Sequence, residues 1–495
     1  MVGARMRSGR TWQKSLFLCL ALVTTRAGAQ TATGDRLRTN HYAIDLYQGP
    51  VFASSRVVGL AGAFVAMADG IDGDTQNPAS PAVRVPYSYS DVDYDLGAGL
   101  VFPGGLGRSG DFFNSGSKTG VVAGNDLYVF LSGAFNLQID RWGFGVTADL
   151  QQYSLRRQAS LSGSESELTT QIMQNHLLAA YSFGDDQLVI GTGARVVTLD
   201  VSTRATLISS GVDAVSAQGA GVELGVIWRP NGERVRLGAA FRSTVTAETD
   251  GAVLYRGTPD ELYVPDRLTL PWDLSFGAAV QLGRRPLNPR WVSPRELLEH
   301  KRRYLRWQAH ERERRTREAL AQARREKRDV AALAVMLHAA DSAEAALDQA
   351  ELSRAERDVG RELRARYAAL PRFHVLLTSS LLLTGTVADG VGIEGFLDRQ
   401  AQRSGQQLSL SPRLAVEIEP IPNWLQTRAG FYFEPTRFAA NADGGRSHAT
   451  LGVNARLVPW DVFGTFPQGN WFWLGGSIDV ARDYVGWGVA LGVWH

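Results

Sequence analysis

Histidine is the side chain most often used for general acid–base catalysis, and His176 stands beside Asn175 in a strand-like segment. A hydrolase built on His176 would also need a nearby serine and a third group that orients the imidazole. The sequence contains no such constellation, and it lacks the His-Glu-x-x-His, phosphate-binding glycine-loop and Gly-x-Ser-x-Gly motifs. We therefore expect no catalytic residue and no enzyme, and we interpret His176 as an interior histidine with a hydrogen-bond partner.

Metal chemistry has equally little support in the sequence. Asp69, Asp72 and Asp74 are close together, but their spacing does not fit the EF-hand calcium loop, so we interpret them as a polar turn. Cys19 is the only cysteine, and it lies in a segment that we expect to be removed. Disulfides, thiolate catalysis and cysteine metal sites are therefore not expected in the mature chain, nor is a cofactor.

A more promising set of charged residues lies on the polar face of alternating segments. Arg236, Arg242 and Arg428 share this face and could pair with the carboxylate of a ligand. Further arginines and acids have the same parity: Arg195, Arg413, Asp149, Glu223, Asp273, Glu417 and Glu434. The alternative interpretation is that all these groups form salt bridges with one another and fill an interior.

The segments that carry these charges alternate strictly between apolar and small or polar residues. In the segment 142–150, Trp142, Phe144 and Val146 share one face while Gly143 and Gly145 share the other. A water-soluble sheet would need amphipathic helices to cover its apolar face, and no such set of helices is present. The pattern therefore predicts an all-β transmembrane barrel whose apolar face meets lipid and whose polar face lines a lumen.

Fourteen such strands can be counted, an even number, as single-chain bacterial barrels require. The predicted strands are 86–100, 126–138, 142–153, 170–183, 187–200, 218–229, 233–247, 271–283, 373–386, 405–418, 424–434, 448–458, 470–480 and 484–494. If the last strand ends in the periplasm, the short turns fall on the periplasmic side and the longer polar stretches fall outside. Six tryptophans near strand ends predict an interfacial aromatic girdle: Trp142, Trp228, Trp272, Trp424, Trp471 and Trp473.

The N-terminus has the pattern of a secretory signal peptide. Basic residues precede the apolar segment 15–25, and Ala27-Gly28-Ala29 offers a cleavage site, which assigns 1–29 to the signal. No later run of about 18 apolar residues suggests a transmembrane helix. The chain has 52 Lys and Arg against 50 acids, and five of the basic residues lie in the signal. The mature chain is therefore slightly acidic, and no nucleic-acid partner is expected.

Three regions follow the signal: a Gly- and Ala-rich segment at 30–85, the barrel at 86–283 and 373–495, and a helical insertion at 284–372. Ser293-Pro294-Arg295-Glu296 reads as a capping box with proline at the first helical position. Because both ends must return to neighbouring strands, the insertion is predicted to be a helical hairpin that turns at 338–342. Its basic first arm, 301–328, suggests either a solvated face or, within residues 292–370, a surface that docks to an anionic surface or to a periplasmic protein.

The segment from Gly59 to Asp69, followed by Asn77-Pro78-Ala79, resembles the outer-membrane long-chain fatty acid and aromatic hydrocarbon transporters (FadL-like, OmpP1/TodX type). The segments 221–230, 234–243 and 270–279 are similar to central strands of that family. The resemblance implies a 14-stranded barrel with an N-terminal plug at 30–85, and it makes Asp69, Asn77, Pro78 and Ala79 the plug motif. It does not account for the helical insertion.

The sequence therefore predicts an integral protein of the outer membrane of a Gram-negative bacterium, surrounded by lipid. The leading hypothesis is a channel that moves hydrophobic molecules, such as long-chain fatty acids or aromatic hydrocarbons. The alternative is a non-transporting scaffold or secretion-shuttle barrel that recruits a periplasmic partner through the insertion.

Overall fold

The computed structural model describes residues 34–84, 91–103, 111–116, 121–157, 166–203, 212–254, 256–257, 261–371, 373–439, 441, 444–457 and 471–494. The predicted signal peptide, residues 1–29, lies outside this part of the chain.

The chain forms one closed antiparallel barrel of 14 strands, as the alternation predicted. The strands are β1 (Val92–Phe102), β2 (Val121–Ile139), β3 (Trp142–Arg157), β4 (Ser166–Phe183), β5 (Leu188–Thr203), β6 (Val212–Trp228), β7 (Val235–Arg242), β8 (Asp273–Gly283), β9 (His374–Thr384), β10 (Ser409–Ile421), β11 (Leu425–Pro435), β12 (Gly445–Arg456), β13 (Trp471–Ala481) and β14 (Tyr484–Trp494). Each pairs with its neighbours in sequence, and β1 pairs with β14 from Gly97↔Gly492 to Phe102↔Trp487 to close the ring.

The outward face of the barrel is apolar and the inward face is small or polar. On β3, Trp142, Phe144 and Val146 are exposed by 45–51%, whereas Thr147 and Asp149 are buried in the lumen. Because a water-soluble protein rarely leaves such a contiguous belt of large apolar side chains uncovered, this surface is suited to lipid. Trp142, Trp228 and Trp424 belong to the belt, but the prediction for Trp473 is wrong: it is 8% exposed and has inward parity.

The two ends of the barrel differ, and we call them the hairpin end and the cap end. The hairpin end carries the short turns that follow β2, β4, β6 and β10, together with the helical insertion between β8 and β9. The cap end carries a four-stranded sheet in which Ala43–Asp45 is parallel to both Arg267–Leu270 and Gly390–Val391. The predicted strand 233–247 is wrong at its end, because Val245–Glu248 leaves the barrel and pairs with Arg267–Leu270 in the cap.

Residues 46–84 run from the cap sheet through the lumen to the hairpin end and form the plug. Its regular elements are the helix α1 (Ser55–Gly59) and two 3₁₀ turns, Ile71–Gly73 and Ser80–Ala82. Small residues dominate because the lumen is narrow, and Ala61, Ala63 and Ala66 are fully buried. The predicted N-terminal plug is therefore present in the structure.

The insertion is a helical hairpin made of α2 (Pro294–Arg325) and α3 (Val330–Ala368). The turn lies at 326–329, so the prediction of 338–342 is wrong. Ion pairs between the two helices, such as Arg312–Asp348, fix how α2 and α3 are aligned. The helical periodicity of the sequence does not show which residues of the two helices pair. Ser293 precedes α2 as predicted, but its hydroxyl donates to Asp91 (2.9 Å) instead of capping the helix.

One described helix, α3, is long and apolar enough to cross a membrane by length and composition alone. Asp341 and Glu344 interrupt its apolar stretch, so it contains no uninterrupted run of about 18 apolar residues. Both acids contact α2: Asp341 accepts from Thr316 (2.8 Å), and Glu344 lies 3.7 Å from Arg312. These contacts place α3 as one arm of the hairpin.

Candidate functional site

The Asn-Pro-Ala motif is where the plug meets the barrel wall. Asn77 is fully buried, and its amide nitrogen donates to three carbonyls: Val65 in the plug (3.0 Å), Val226 on β6 (3.2 Å) and Ala239 on β7 (3.3 Å). Its amide oxygen accepts from the backbone nitrogen of Ala79 (3.1 Å). The Asn77 side chain thus connects β6 and β7 to two parts of the plug, at a point where the plug forms no strand that could pair with the wall.

Glycines on the inward face make room for this motif. A Cβ atom on Gly225 would lie 2.0 Å from Asn77 Oδ1, and one on Gly191 would lie 2.1 Å from the carbonyl oxygen of Pro78. Gly143 faces Pro81 in the same way, at 2.2 Å. The small residues that alternate with apolar ones in the sequence are therefore the positions where the plug touches the wall.

Asp69, the acidic residue of the predicted plug motif, belongs to a chain of ion pairs. Arg56 in α1 donates to Asp69 (2.8 Å) and to Glu417 on β10 (3.1 Å). Glu417 also accepts from Arg428 on β11 at 2.5 Å. Because all four groups are largely shielded from water, removing one of them would leave its partners uncompensated.

The three arginines predicted as ligand contacts already have protein partners. Arg428 is bound to Glu417, and Arg236 donates to Met67 O (3.1 Å) in the plug and to Asn288 Oδ1 (2.6 Å). Arg242 contacts Asp273 (2.8 Å) and Glu223 (3.2 Å). Ligand contact by these side chains stays a prediction, and the geometry is that of the alternative interpretation, an internal salt-bridge network.

His176 lies in the same network as Arg242. Its Nδ1 is 3.0 Å from Glu223 Oε2, and both side chains are buried. Glu223 therefore faces His176 on one side and Arg242 on the other. This arrangement gives His176 the interior hydrogen-bond partner that we expected for it.

Arg413 on β10 differs from the other lumen arginines. Its Nη1 makes a 3.4 Å contact with the carbonyl of Gly62, and its Nε is buried without a hydrogen-bond partner. Among the described residues, no carboxylate oxygen lies within the 4.0 Å of an ion pair with Arg413. The sequence placed Arg413 on the lumen face but gave no signal that it would lack an acid as a partner.

Arg413 faces a cavity of about 200 Å³ on the cap side of the plug. One part of the cavity wall is apolar: Leu46, Val51, Phe52, Leu270 and Leu382. The lining also includes polar and charged side chains: Asp149, His176, Arg195, Arg242 and Asp273. A bound molecule would therefore meet apolar side chains and, in Arg413, a guanidinium that makes no ion pair within 4.0 Å with a described residue.

The cap above the cavity contains an unusual acid. Glu394 in the short helix α4 (Ile393–Asp398) is 6% exposed, and one of its carboxylate oxygens has no hydrogen-bond partner. Burial raises the pKa of Glu394 to about 8, and the nearby Asp111 and Asp398 add to this, although a hydrogen bond from Ser115 opposes it. The carboxyl group is therefore neutral at pH 7.

A closed barrel with an apolar outer belt, and with its own N-terminal segment inside, is a plugged membrane-embedded β-barrel. No family model and no curated protein matches the chain. Among the solved structures that resemble it is the CymD monoaromatic hydrocarbon channel, with a TM-score of 0.45, 10% identity, and coverage of 90% of this chain and 97% of that chain.

A FadL homologue of Pseudomonas aeruginosa resembles the chain with a TM-score of 0.43, 12% identity, and coverage of 93% of this chain and 99% of that one. The toluene transporter TodX of P. putida has a TM-score of 0.45, 11% identity, and coverage of 92% and 98%. The fold of this chain is defined by its own strands and plug.

Proposed function

We propose that the chain is an outer-membrane channel for hydrophobic molecules, with its hairpin end in the periplasm and its cap end outside. The observation that carries the proposal is the cavity between plug and wall, whose lining combines apolar side chains with charged ones. A water-filled lumen would not attract a hydrophobic solute, whereas this cavity offers it an apolar surface within a protein path through the membrane. The plug prevents free diffusion of water-soluble molecules along the same path.

The size of the cavity favours compact molecules. A cavity of about 150 Å³ in another protein holds benzene, so about 200 Å³ accommodates a single aromatic ring with a small substituent. An extended long acyl chain would require the plug or the cap to move. Of the two substrate classes that the sequence resemblance implied, aromatic molecules therefore fit the cavity better.

Arg413 adds a preference within that class. A guanidinium without an acid partner binds a carboxylate through charge-assisted hydrogen bonds. We expect aromatic acids such as benzoate to be held more tightly than the corresponding hydrocarbon. A substrate carboxylate paired with Arg413 would also offset the free-energy cost of burying the charge of the guanidinium.

The test is uptake of radiolabelled benzoate, toluene and oleate into vesicles whose outer leaflet is lipopolysaccharide, which slows passage of hydrophobic molecules through the lipid. The wild-type protein should accelerate entry of benzoate and toluene. Arg413→Gln should lower benzoate entry at least tenfold and change toluene entry less than twofold. Arg234→Gln, at an exposed turn, is the matched control. Entry no faster than into protein-free vesicles for all three solutes would contradict the proposal.

The helical hairpin supports the scaffold as a second candidate function. Large apolar side chains are exposed on it, with Trp307 at 59%, Val335 at 72% and Leu347 at 70%, as on surfaces that bind a partner. Replacing residues 296–368 by a short Gly/Ser linker separates the two functions. A channel should still take up solute faster than protein-free vesicles, whatever the change in rate, whereas a scaffold should lose the recovery of a periplasmic protein with the barrel.

A further inference from the structure

Residues 284–295 connect β8 to α2 and have no regular secondary structure before Pro294. We call this segment the strap. It begins at β8 and ends beside Asp91, which directly precedes β1. In the ring of strands β8 and β1 are seven positions apart in either direction, so they face each other across the mouth of the barrel. The strap therefore crosses the hairpin end of the lumen, below the plug.

The middle of the strap is joined to the plug through Arg236. This fully buried guanidinium donates to Met67 O in the plug (3.1 Å) and to Leu287 O in the strap (2.9 Å). Asn288 is also fully buried, and its side chain donates to Val235 O at 2.8 Å. The side chain of Leu287 is 3% exposed and packs in one apolar cluster with the plug.

The far end of the strap covers Arg84, the last described residue of the plug, whose guanidinium also pairs with Asp93 on β1 (2.6 Å) and donates to Asp140 O (2.8 Å). The Arg84 guanidinium lies 4.0 Å from the centre of the Trp291 ring. Beyond Trp291, the hydroxyl of Ser293 donates to Asp91 (2.9 Å) and Arg295 pairs with the same carboxylate (3.1 Å). These contacts at the far end are made by side chains, so the strap could swing away while the strand ladder of the barrel stays intact.

We propose that the strap is a gate: it closes the hairpin end of the channel and holds the plug in place, and solute leaves only when the strap moves. This inference rests on the proposed channel function and adds a regulator to it. The rigid helix α2 continues directly from the strap, so a tilt of the hairpin moves the gate. The helical insertion thereby acquires a role that a simple plugged barrel does not need.

The test fixes the far end of the strap. Cys19 is the only cysteine and precedes the predicted mature start, so introduced cysteines are the only ones in the processed chain. Asp91→Cys with Ser293→Cys places one thiol on each side of the contact, and a short bis-methanethiosulfonate reagent bridges them reversibly. Lys301→Cys with Glu351→Cys bridges α2 to α3 and is the matched control, because those two side chains are also in direct contact, here as an ion pair, but lie outside the strap.

Benzoate uptake into the lipopolysaccharide vesicles is measured with the bridge formed and after its reduction. We expect the bridge at 91 and 293 to lower uptake at least tenfold, reduction to restore it, and the bridge at 301 and 351 to change it less than twofold. Equal uptake with and without the 91–293 bridge would overturn the gate while leaving the channel intact. Absence of uptake by the wild-type protein would overturn the channel, and the gate with it.

A second pair of variants tests the gate in case the cysteine variants do not fold. Trp291→Ala removes the ring that covers Arg84 and changes no charge, and Trp291→Phe keeps an aromatic ring there. We expect Trp291→Ala to raise the initial rate of uptake severalfold and Trp291→Phe to stay close to the wild type. A Trp291→Ala protein that is folded and takes up benzoate at the wild-type rate would also contradict the gate.

Discussion

The amide oxygen of Asn77 occupies the space that a Cβ atom on residue 225 would need, since the two positions are 2.0 Å apart. The plug motif and the wall of the barrel are thus matched at the level of single atoms. Gly225 lies on β6, whose Val226 carbonyl also accepts from Asn77. Plug and barrel are therefore fixed to each other by contacts that depend on the absence of a side chain at one residue.

Gly225→Ala should displace the plug. The added methyl group would overlap Asn77 and lie 2.8 Å from Pro78 Cδ, and overpacking of this kind costs about 1–3 kcal/mol. Protease digestion of the purified protein should show faster cleavage within the plug. Gly133→Ala is the control, because a Cβ atom at Gly133 meets nothing within 4 Å. Identical digestion of the two variants would contradict this prediction.

Asn77→Asp should weaken the same contact electrostatically. The carboxylate cannot donate to the three carbonyls that now accept from the amide, so buried acceptors lose their donor at a cost of about 1–3 kcal/mol. The midpoint of thermal unfolding in detergent should fall. The change Gln349→Glu, at an exposed position on α3, should leave the midpoint within about one degree, because surface substitutions usually change the free energy of unfolding by less than about 0.5 kcal/mol.

Glu417→Gln should loosen the plug from β10 and β11. The change removes the charge that Arg56 and Arg428 share, and loss of one member of a buried ion pair costs about 3–5 kcal/mol. Urea unfolding should show the loss, together with protease cleavage in α1. Glu299→Gln removes an exposed i,i+4 pair with Arg303 and should cost less than about 1 kcal/mol. A loss of similar size in both variants would show that the buried network is not what fixes the plug.

The cap should loosen as the pH rises. Because the pKa of Glu394 is raised to about 8 in the folded protein, the folded state keeps a proton that the unfolded chain releases near its ordinary pKa. The protonated carboxyl group of Glu394 contributes fully to the free energy of unfolding when the pH is below the pKa of the unfolded chain. Between that pKa and about 8, the free energy of unfolding falls by about 1.4 kcal/mol for each pH unit.

Glu394→Gln should abolish this pH dependence. Protease cleavage of the loop 385–408 should accelerate between pH 6.5 and 9 in the wild type and stay constant in the variant. The exposed change Asp389→Asn is the control and should retain the wild-type pH dependence. A wild-type cap whose cleavage rate does not change with pH would disprove the raised pKa of Glu394.

The sequence by itself determined the barrel. The two-residue period of apolar side chains identified all 14 strands, because lipid outside and a lumen inside force every spanning strand to alternate. It also located the plug and the helical insertion, since glycine- and alanine-rich or charged helical segments break that period. Ends of elements were less certain where a strand such as Val245–Glu248 changes sheets through tertiary pairing.

Only the tertiary structure decided which charged groups are paired. Alternation placed Arg236, Arg242, Arg413 and Arg428 on one face, but their partners come from the plug and from other strands, such as Glu417 on β10 for Arg428. The same is true of Arg236, whose contacts with Met67 and Leu287 join segments that are far apart in sequence. The two-residue alternation in the sequence shows which side of the sheet a side chain lies on. Its ion-pair partner depends on which segments of the chain are packed into the lumen. That packing gives Arg413 the carbonyl of Gly62 as its hydrogen-bond partner and brings Leu287 of the strap into one apolar cluster with the plug.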